Sequence, residues 1–392
     1  MKLPLGYLYS STYAGIRAAE KDDLALIVSG LPASAAAVFT QNRVQAAPVR
    51  LSRRNLQRSG GLAGAILVNA GNANCATSSG DAVALSTSKA AAKLLKLPPG
   101  QVLVASTGVI GVELDATKIT SSLPRLAEGL SPNRFDDAAH AIMTTDLVPK
   151  TAYAAVNLRR GTVHIAGMTK GSGMIQPLMA TTLGFVMTDA DIPPAVLRAM
   201  LKRSVERSYN RLSVDGDTST NDTLVLLANG ASGVRPDPNE RGKFEEAVAH
   251  VMESLAQAIA RDGEGARKFV TIRVSGTATD DGATRIARAI ANSPLVKTAI
   301  AGSDPNWGRI LSAAGNAGVT FDPLKTDIRM QHMLVCRGGL AADFSEAELK
   351  EKLDAPDCEI AVTVRGKGKG SARFWTCDLT EGYIQINGSY RT

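Results

Sequence analysis

Apolar runs of strand length alternate with helical stretches along the whole chain, and that alternation restricts it to mixed α/β layers. Residues 64–69 read as a buried strand, and the Ala-rich stretch 81–97 after them as a helix. Residues 101–106 form the next strand, ending at Thr107-Gly108. Residues 162–168 alternate with period two, as a half-buried strand does. Residues 193–209 are helical, with prolines at the start, where a missing N–H does no harm. A strand at 223–228, a helix at 245–261, a strand at 268–275 and a helix at 284–292 follow. Ser345 and Glu348 make a capping box for a late helix. Residues 358–365, 372–378 and 382–387 read as closing strands.

Composition narrows the class. The 392 residues suffice for a large core and two or three structural units. Aromatics make up only 4%, so small and aliphatic side chains fill that core. The net charge of +7 fits a surface that binds nucleic acid, one that draws in small anions, or plain solubility. No Lys/Arg run with interleaved aromatics is present, so nucleic acid is disfavoured as a partner. The densest basic stretch, residues 365–373 (RGKGKGSAR), reads as a solvated Gly-rich hairpin loop rather than a phosphate site. Cys75, Cys336, Cys358 and Cys377 form no CxxC pair, and His140, His164, His250 and His332 no HExxH. Reduced thiols, a cytoplasmic location and no metal are therefore expected. Residues 1–23 have no apolar segment of signal-peptide length, and no run of about 18 apolar residues offers a membrane span.

One segment carries a chemical possibility. In residues 170–185 (KGSGMIQPLMATTLGF) a Gly-rich turn follows a strand and delivers a hydroxyl into an apolar stretch. It lacks the GxxxxGK[ST] order of a phosphate loop. By spacing alone it reads as a loop leading into a buried strand.

The same segment, followed by TDA at 188–190, resembles the autoprocessing segment of the ornithine acetyltransferase family, also called glutamate N-acetyltransferase. The resemblance runs along nearly the whole chain. It includes VFT at 38–40, VNAGNANC at 68–75, STGVIG at 106–111, TTD at 144–146 and NRLSVDGDTSTND at 210–222. It continues through RDGEGA at 261–266, SPLVKT at 293–298, NWGR at 306–309 and INGSYRT at 386–392. The fold this implies is a layered α/β sandwich resembling the N-terminal-nucleophile hydrolases. The implied reaction moves acetyl from N-acetylornithine to glutamate in arginine biosynthesis. Some members also take acetyl-coenzyme A as a donor substrate, and no resident cofactor is implied. A self-cleaving amidase or aminopeptidase of related architecture is the alternative, differing only in what attacks the acyl-enzyme.

The resemblance implies self-cleavage between Ala180 and Thr181, giving an alpha chain of residues 1–180 and a beta chain of residues 181–392. Two of each would assemble into a heterotetramer. A threonine hydroxyl needs an adjacent base, and the cut would create one on the same residue, the free α-amine of Thr181. Thr107 and Gly108 match the oxyanion-stabilising pair, for which the bland reading is a strand-ending turn. Thr144, Lys170, Thr181, Glu264, Asn387 and Thr392 match substrate contacts. Their ordinary readings are a helix cap for Thr144, a solvated turn lysine for Lys170, a polar connector for Glu264 and a frayed terminus for the last two. The chain departs from the family pattern at Leu147 and Arg267, which bears on the shape of the substrate pocket.

Overall fold

The computed structural model describes residues 2–176 and 182–389. Two sheets, each with its own hydrophobic core, organise the chain. The first contains β1 (Tyr7–Thr12), β2 (Leu24–Phe39), β3 (Leu62–Asn72), β4 (Val102–Val109), β5 (Lys150–Leu158), β6 (Gly161–Lys170), β7 (Leu183–Thr188) and β8 (Thr223–Ala228). Their order is β4-β3-β2-β8-β7-β6-β5, with β1 also paired to β2. The later strands β7 and β8 are thus inserted between β2 and β6. β7 runs antiparallel to β6, and β8 antiparallel to β2. Both are buried at every position, which a half-exposed alternating strand would not be. β2 reaches sixteen residues because its register slips between Val28 and Ala33, around Gly30 and Pro32.

Helices cover this sheet. On one face, α1 (Ala47–Arg58), α2 (Gly80–Leu95) and α3 (Ala116–Glu128) bury Leu51, Val83 and Leu123 against Leu67 and Val104. On the opposite side, α4 (Phe135–Ala141) sets Phe135 edge-on to Tyr9 at 5.1 Å between centroids. α5 (Pro194–Arg207) begins with Pro193 as its cap and Pro194 as its first residue, as the sequence leads one to expect. α6 (Arg241–Arg261) has the apolar spacing of a buried helix face and packs Val248, Val251 and Leu255 into the core with Ile165, Val186 and Leu226.

The second sheet contains β9 (Phe269–Thr277), β10 (Thr326–Met330), β11 (Met333–Arg337), β12 (Leu340–Ala341), β13 (Asp357–Val364) and β14 (Gly370–Cys377), in the order β12-β11-β10-β13-β9-β14. α7 (Asp280–Ala291), α8 (Pro294–Ala301), α9 (Trp307–Gly315) and α10 (Glu346–Leu353) contribute Ile286, Ile300, Ile310 and Leu349 to its core. Ser345 caps α10 by accepting the Glu348 N–H, as the capping box requires. α6 joins the two units, since Phe269, Trp375 and Cys377 of the second sheet share its core. All four cysteines are buried and unpaired.

Two expectations need correction. Residues 365–369 do not close a hairpin. β13 and β14 both pair with β9, the first parallel and the second antiparallel, so the loop crosses over the end of β9. The crossing is close: a Cβ on Gly368 would sit 2.4 Å from the carbonyl oxygens of Gly276 and Thr277. Residues 382–387 are not a strand but belong to α11 (Glu381–Ser389). Their alternating pattern imitates a strand, but Thr380 dictates the outcome. Its hydroxyl accepts the Gly382 N–H and its carbonyl the Tyr383 N–H, which starts a helical turn.

Because α6 serves both units, a cavity beneath it should weaken the whole molecule. Leu255→Ala is expected to lower stability by about 2–5 kcal/mol. A urea titration checks this, with one cooperative transition shifted to lower denaturant.

Candidate active site

A cavity of about 200 Å³ lies where β4 and β6 end and β7 begins. Thr107 and Gly108 form part of its wall. They lie within β4 rather than in a turn after it, so the bland reading fails. At this point the β3–β4 ladder is irregular, with Asn72 opposite both Thr107 and Val109. Gly108 has φ +128°, and a Cβ there would strike Gly71 and the Asn72 nitrogen at 2.3–2.7 Å. Asn221 fixes the neighbouring backbone, its amide donating to the carbonyls of Ser106 (2.8 Å) and Ala73 (2.6 Å).

Lys170 ends β6, and it is buried rather than a solvated turn lysine. Its ammonium donates to the Thr144 hydroxyl at 2.6 Å, lies 3.5 Å from the Thr107 hydroxyl and stands 3.8 Å from Asp146. Burial pushes this ammonium below the ordinary lysine range, and Asp146 is the largest opposing influence. Asp146 gathers several donors: the N–H groups of Thr144 (2.9 Å) and Gly171 (2.7 Å), and the Lys150 ammonium (2.6 Å). Burial acts most strongly to raise the Asp146 carboxyl. The Lys170 and Lys150 charges and these hydrogen bonds together outweigh it and hold the group well below the usual carboxylate range. Lys150 also pairs with Asp262 at 2.5 Å, which in turn accepts the Leu147 N–H. Two lysines and two aspartates thus form a neutral, buried chain of charge behind the cavity wall.

Glu264 stands in the loop after α6, where its N–H donates to the Ser172 carbonyl. It is buried, and its carboxylate lies where a Cβ on Gly173 would be, 2.2–2.6 Å away. The Asn387 amide, carried in by α11, donates to Glu264 at 2.8 Å. That segment is therefore not a frayed tail as far as Asn387. Asp215 locks the loop after β6 by accepting the N–H groups of Met174 (2.6 Å) and Ile175 (2.8 Å). Burial pushes its carboxyl up, against the pull of the N–H groups of Asp217, Ile175 and Met174. The Tyr383 hydroxyl donates to it at 3.4 Å.

Thr107, Gly108, Thr144, Lys170, Glu264 and Asn387, drawn from five separate stretches of chain, therefore line one cavity. Ala180, Thr181 and Thr392 lie outside the described residues. Thr182 is described and forms part of the cavity wall; its carbonyl accepts the Thr223 N–H. Leu147 and Arg267 do not line the cavity: Leu147 is exposed, and Arg267 pairs with Glu381 at 3.5 Å. The departures there leave the described pocket wall intact. Sequence reasoning assigned no role to Asp146, Asp215 or Asn221, although each falls in a matched string. Asp262 likewise falls in the matched string at 261–266, but Lys150 falls in none, and its partner Asp262 is 112 residues away. Among the described residues no group of His, Cys, Asp and Glu is arranged to hold a metal ion, and no helix is long and apolar enough to cross a membrane.

The buried charge chain makes a quantitative contrast. Lys150→Met would strand two buried carboxylates and should cost about 3–5 kcal/mol. Arg50→Met, which breaks an exposed pair with Asp81, should cost under about 1 kcal/mol. Urea unfolding of the two variants checks the difference.

Comparison with known proteins identifies the family. Residues 8–392 match the ArgJ family. The arginine biosynthesis bifunctional protein ArgJ of Thermus thermophilus is 48% identical, with the match covering all of both chains. That of Bradyrhizobium diazoefficiens is 46% identical over all of this chain and 96% of its own. The crystal structure of the ArgJ protein from Bacillus halodurans is 39% identical, with a TM-score of 0.51, over 53% of this chain and 98% of that one. With residues 8–392 matched by the family model and a relative 48% identical along the full length, the chain belongs to the ArgJ family.

Proposed function

We propose that the protein cuts itself before Thr181 and then moves acetyl from N-acetylornithine to glutamate through an ester on the Thr181 hydroxyl. One observation carries this reading. Thr107 and Lys170, which precede the cut position, share a cavity with Glu264 and Asn387, which follow it, and Thr182 stands in the wall beside them. A nucleophile at position 181 would work within reach of these groups.

The roles follow from chemistry. The freed α-amine of Thr181, with a reference pKa of about 7.7–8.0, takes the hydroxyl proton as Thr181 attacks the acetyl carbonyl. Thr107 donates to the oxyanion, and the missing side chain at Gly108 allows close approach of the substrate. Lys170, with Thr144, presents donors for the amino acid's carboxylate. Glu264 presents an acceptor for its cationic nitrogen, held in place by Asn387. Thr392 completes the substrate contacts. Glutamate then attacks the acetyl-ester and leaves as N-acetylglutamate. No resident cofactor takes part; acetyl-coenzyme A enters, in the bifunctional form of the activity, as a second donor substrate. The word "bifunctional" in the relatives' names supports that second donor.

The sheet order supports a stable two-piece enzyme. Residues 181–392 supply β7 and β8, which are laddered on both sides to strands of residues 1–180. Two such alpha–beta pairs form the assembly.

Two measurements test the reading. Purified protein should give two bands on a denaturing gel, the larger with Thr181 at its N-terminus, yet elute as one species in native gel filtration. It should acetylate glutamate from N-acetylornithine; a fully active uncut chain would contradict the scheme. Thr107→Ala should lower kcat by about 100-fold or more with a smaller change in KM, because an oxyanion donor acts mainly in the transition state. Steady-state kinetics on the cut variant check it, and an unchanged kcat would remove Thr107 from the mechanism.

A further inference from the structure

The self-cleavage just proposed leaves one proton without a carrier. The α-amine that serves as base in acetyl transfer does not exist until the bond before Thr181 has been cut. In the uncut chain that nitrogen is an amide, and it is the leaving group. Something else must take the hydroxyl proton and supply one to the departing nitrogen.

The ionisable groups of the cavity wall differ in how free they are. Lys170 is held by Thr144 and Asp146. Asp215 is taken up by backbone N–H groups and Tyr383. Glu264 accepts from Asn387. Asp222 is different: it is buried, it lines the cavity, and its Oδ2 makes no hydrogen bond. An unpartnered buried carboxyl oxygen is costly and calls for an explanation.

Its position supplies one. β7 and β8 are parallel, with Leu183 opposite Thr223, and the Thr223 N–H donates to the Thr182 carbonyl at 2.9 Å. One step back along this ladder, Asp222 is the counterpart of Thr182, the residue next to the cut. The Thr182 hydroxyl is buried, lines the same cavity and is also unpartnered. On the other side of Asp222, Asn221 grips the Ser106 carbonyl beside Thr107. Thr40 donates its N–H to the Asp222 carbonyl at 3.0 Å. The backbone is therefore tied at two points and flanked by the anchored Asn221 side chain, while Oδ2 of the carboxyl is left available.

We propose that Asp222 is the proton-transfer residue of the self-cleavage. The inference rests on the cleavage reading above. The Thr181 Oγ forms a bond to the Ala180 carbonyl carbon, and its proton passes to one oxygen of the Asp222 carboxyl. As the carbon–nitrogen bond breaks, the proton on the other oxygen passes to the Thr181 nitrogen. The carboxyl ends as it began, neutral. The product is an ester between Ala180 and the Thr181 hydroxyl, with a free amine. Water then adds to the ester carbonyl, restores the hydroxyl and leaves Ala180 as a carboxylate with release of one proton. The cycle needs Asp222 to enter protonated, and its surroundings favour that. Burial pushes the carboxyl well above the usual range, against smaller pulls from the Ser219 and Thr40 hydroxyls and the Lys170 charge.

The test follows cleavage of the full chain made in a cell-free reaction and sampled over time on a denaturing gel. Circular dichroism and gel filtration establish that each variant is folded. Asp222→Asn keeps the shape but not the proton transfer, and should cut at least about 100-fold more slowly than wild type. Asp222→Ala should be equally slow, and added formate, a small carboxylic acid able to occupy the vacated space, should accelerate it in a saturable way. A merely structural role predicts no response to formate. Wild-type speed in Asp222→Asn, or a folded Asp222→Ala indifferent to formate, overturns the proposal while leaving self-cleavage standing. A wild-type chain that stays uncut overturns the cleavage reading itself, and the proposal with it.

Discussion

The site depends on where β7 enters the first sheet. Leu183 pairs with Lys170 on one side and Thr223 on the other, so the start of this strand is fixed between β6 and β8. Thr182, just before it, stands in the wall of the cavity that also contains Lys170 and Asp222. The proposed break before Thr181 would remove one covalent bond and none of the ladders among the described residues. The β2–β8 and β6–β7 pairings hold the two pieces together through backbone hydrogen bonds and a fully buried strand pair. Cleavage before β7 is thus compatible with an unchanged core.

The second requirement is electrostatic. A lysine proposed to recognise a carboxylate is useful only if it is held still. Lys170 is buried, which disfavours its charge, and Asp146 at 3.8 Å supports that charge without making close contact. Asp146 is itself neutralised by Lys150, and Lys150 by Asp262. Such a chain is a poor source of stability, because desolvation offsets much of the attraction. Its value lies in geometry: it ties the 144–147 turn, the end of β6 and the end of α6 to one another, and so places Thr144, Lys170 and Glu264 around a common space.

Much of this was legible in the sequence, for different reasons in different places. The buried strand 64–69 and the helices near α5 and α6 declared themselves through apolar spacing, and α10 through its capping box. The candidate residues were found because they stand in strings shared with a family, not because their local pattern marks them; by spacing alone 170–185 is a loop before a strand. The failures have physical causes. In residues 381–389 the side-chain alternation is strand-like, but a threonine cap and the lack of a partner strand make a helix. The 365–369 loop looked like a hairpin because nothing local reveals that β9 lies between its flanking strands. Lys150 was invisible because its meaning depends on Asp262, far away in sequence. Asp222 was visible as a letter in a matched string, but its missing hydrogen bond is a property of the packed structure alone.

The central claim is a covalent acetyl group on the residue that the cut exposes. The direct measurement is rapid mixing with N-acetylornithine, acid quenching and peptide mass spectrometry of the 181–392 fragment. The account predicts one acetyl group on Thr181, appearing without glutamate and discharged when glutamate is added. Turnover proceeding while Thr181 remains unmodified at every time point, or an acetyl group lodged on another residue and discharged at the catalytic rate, would contradict it.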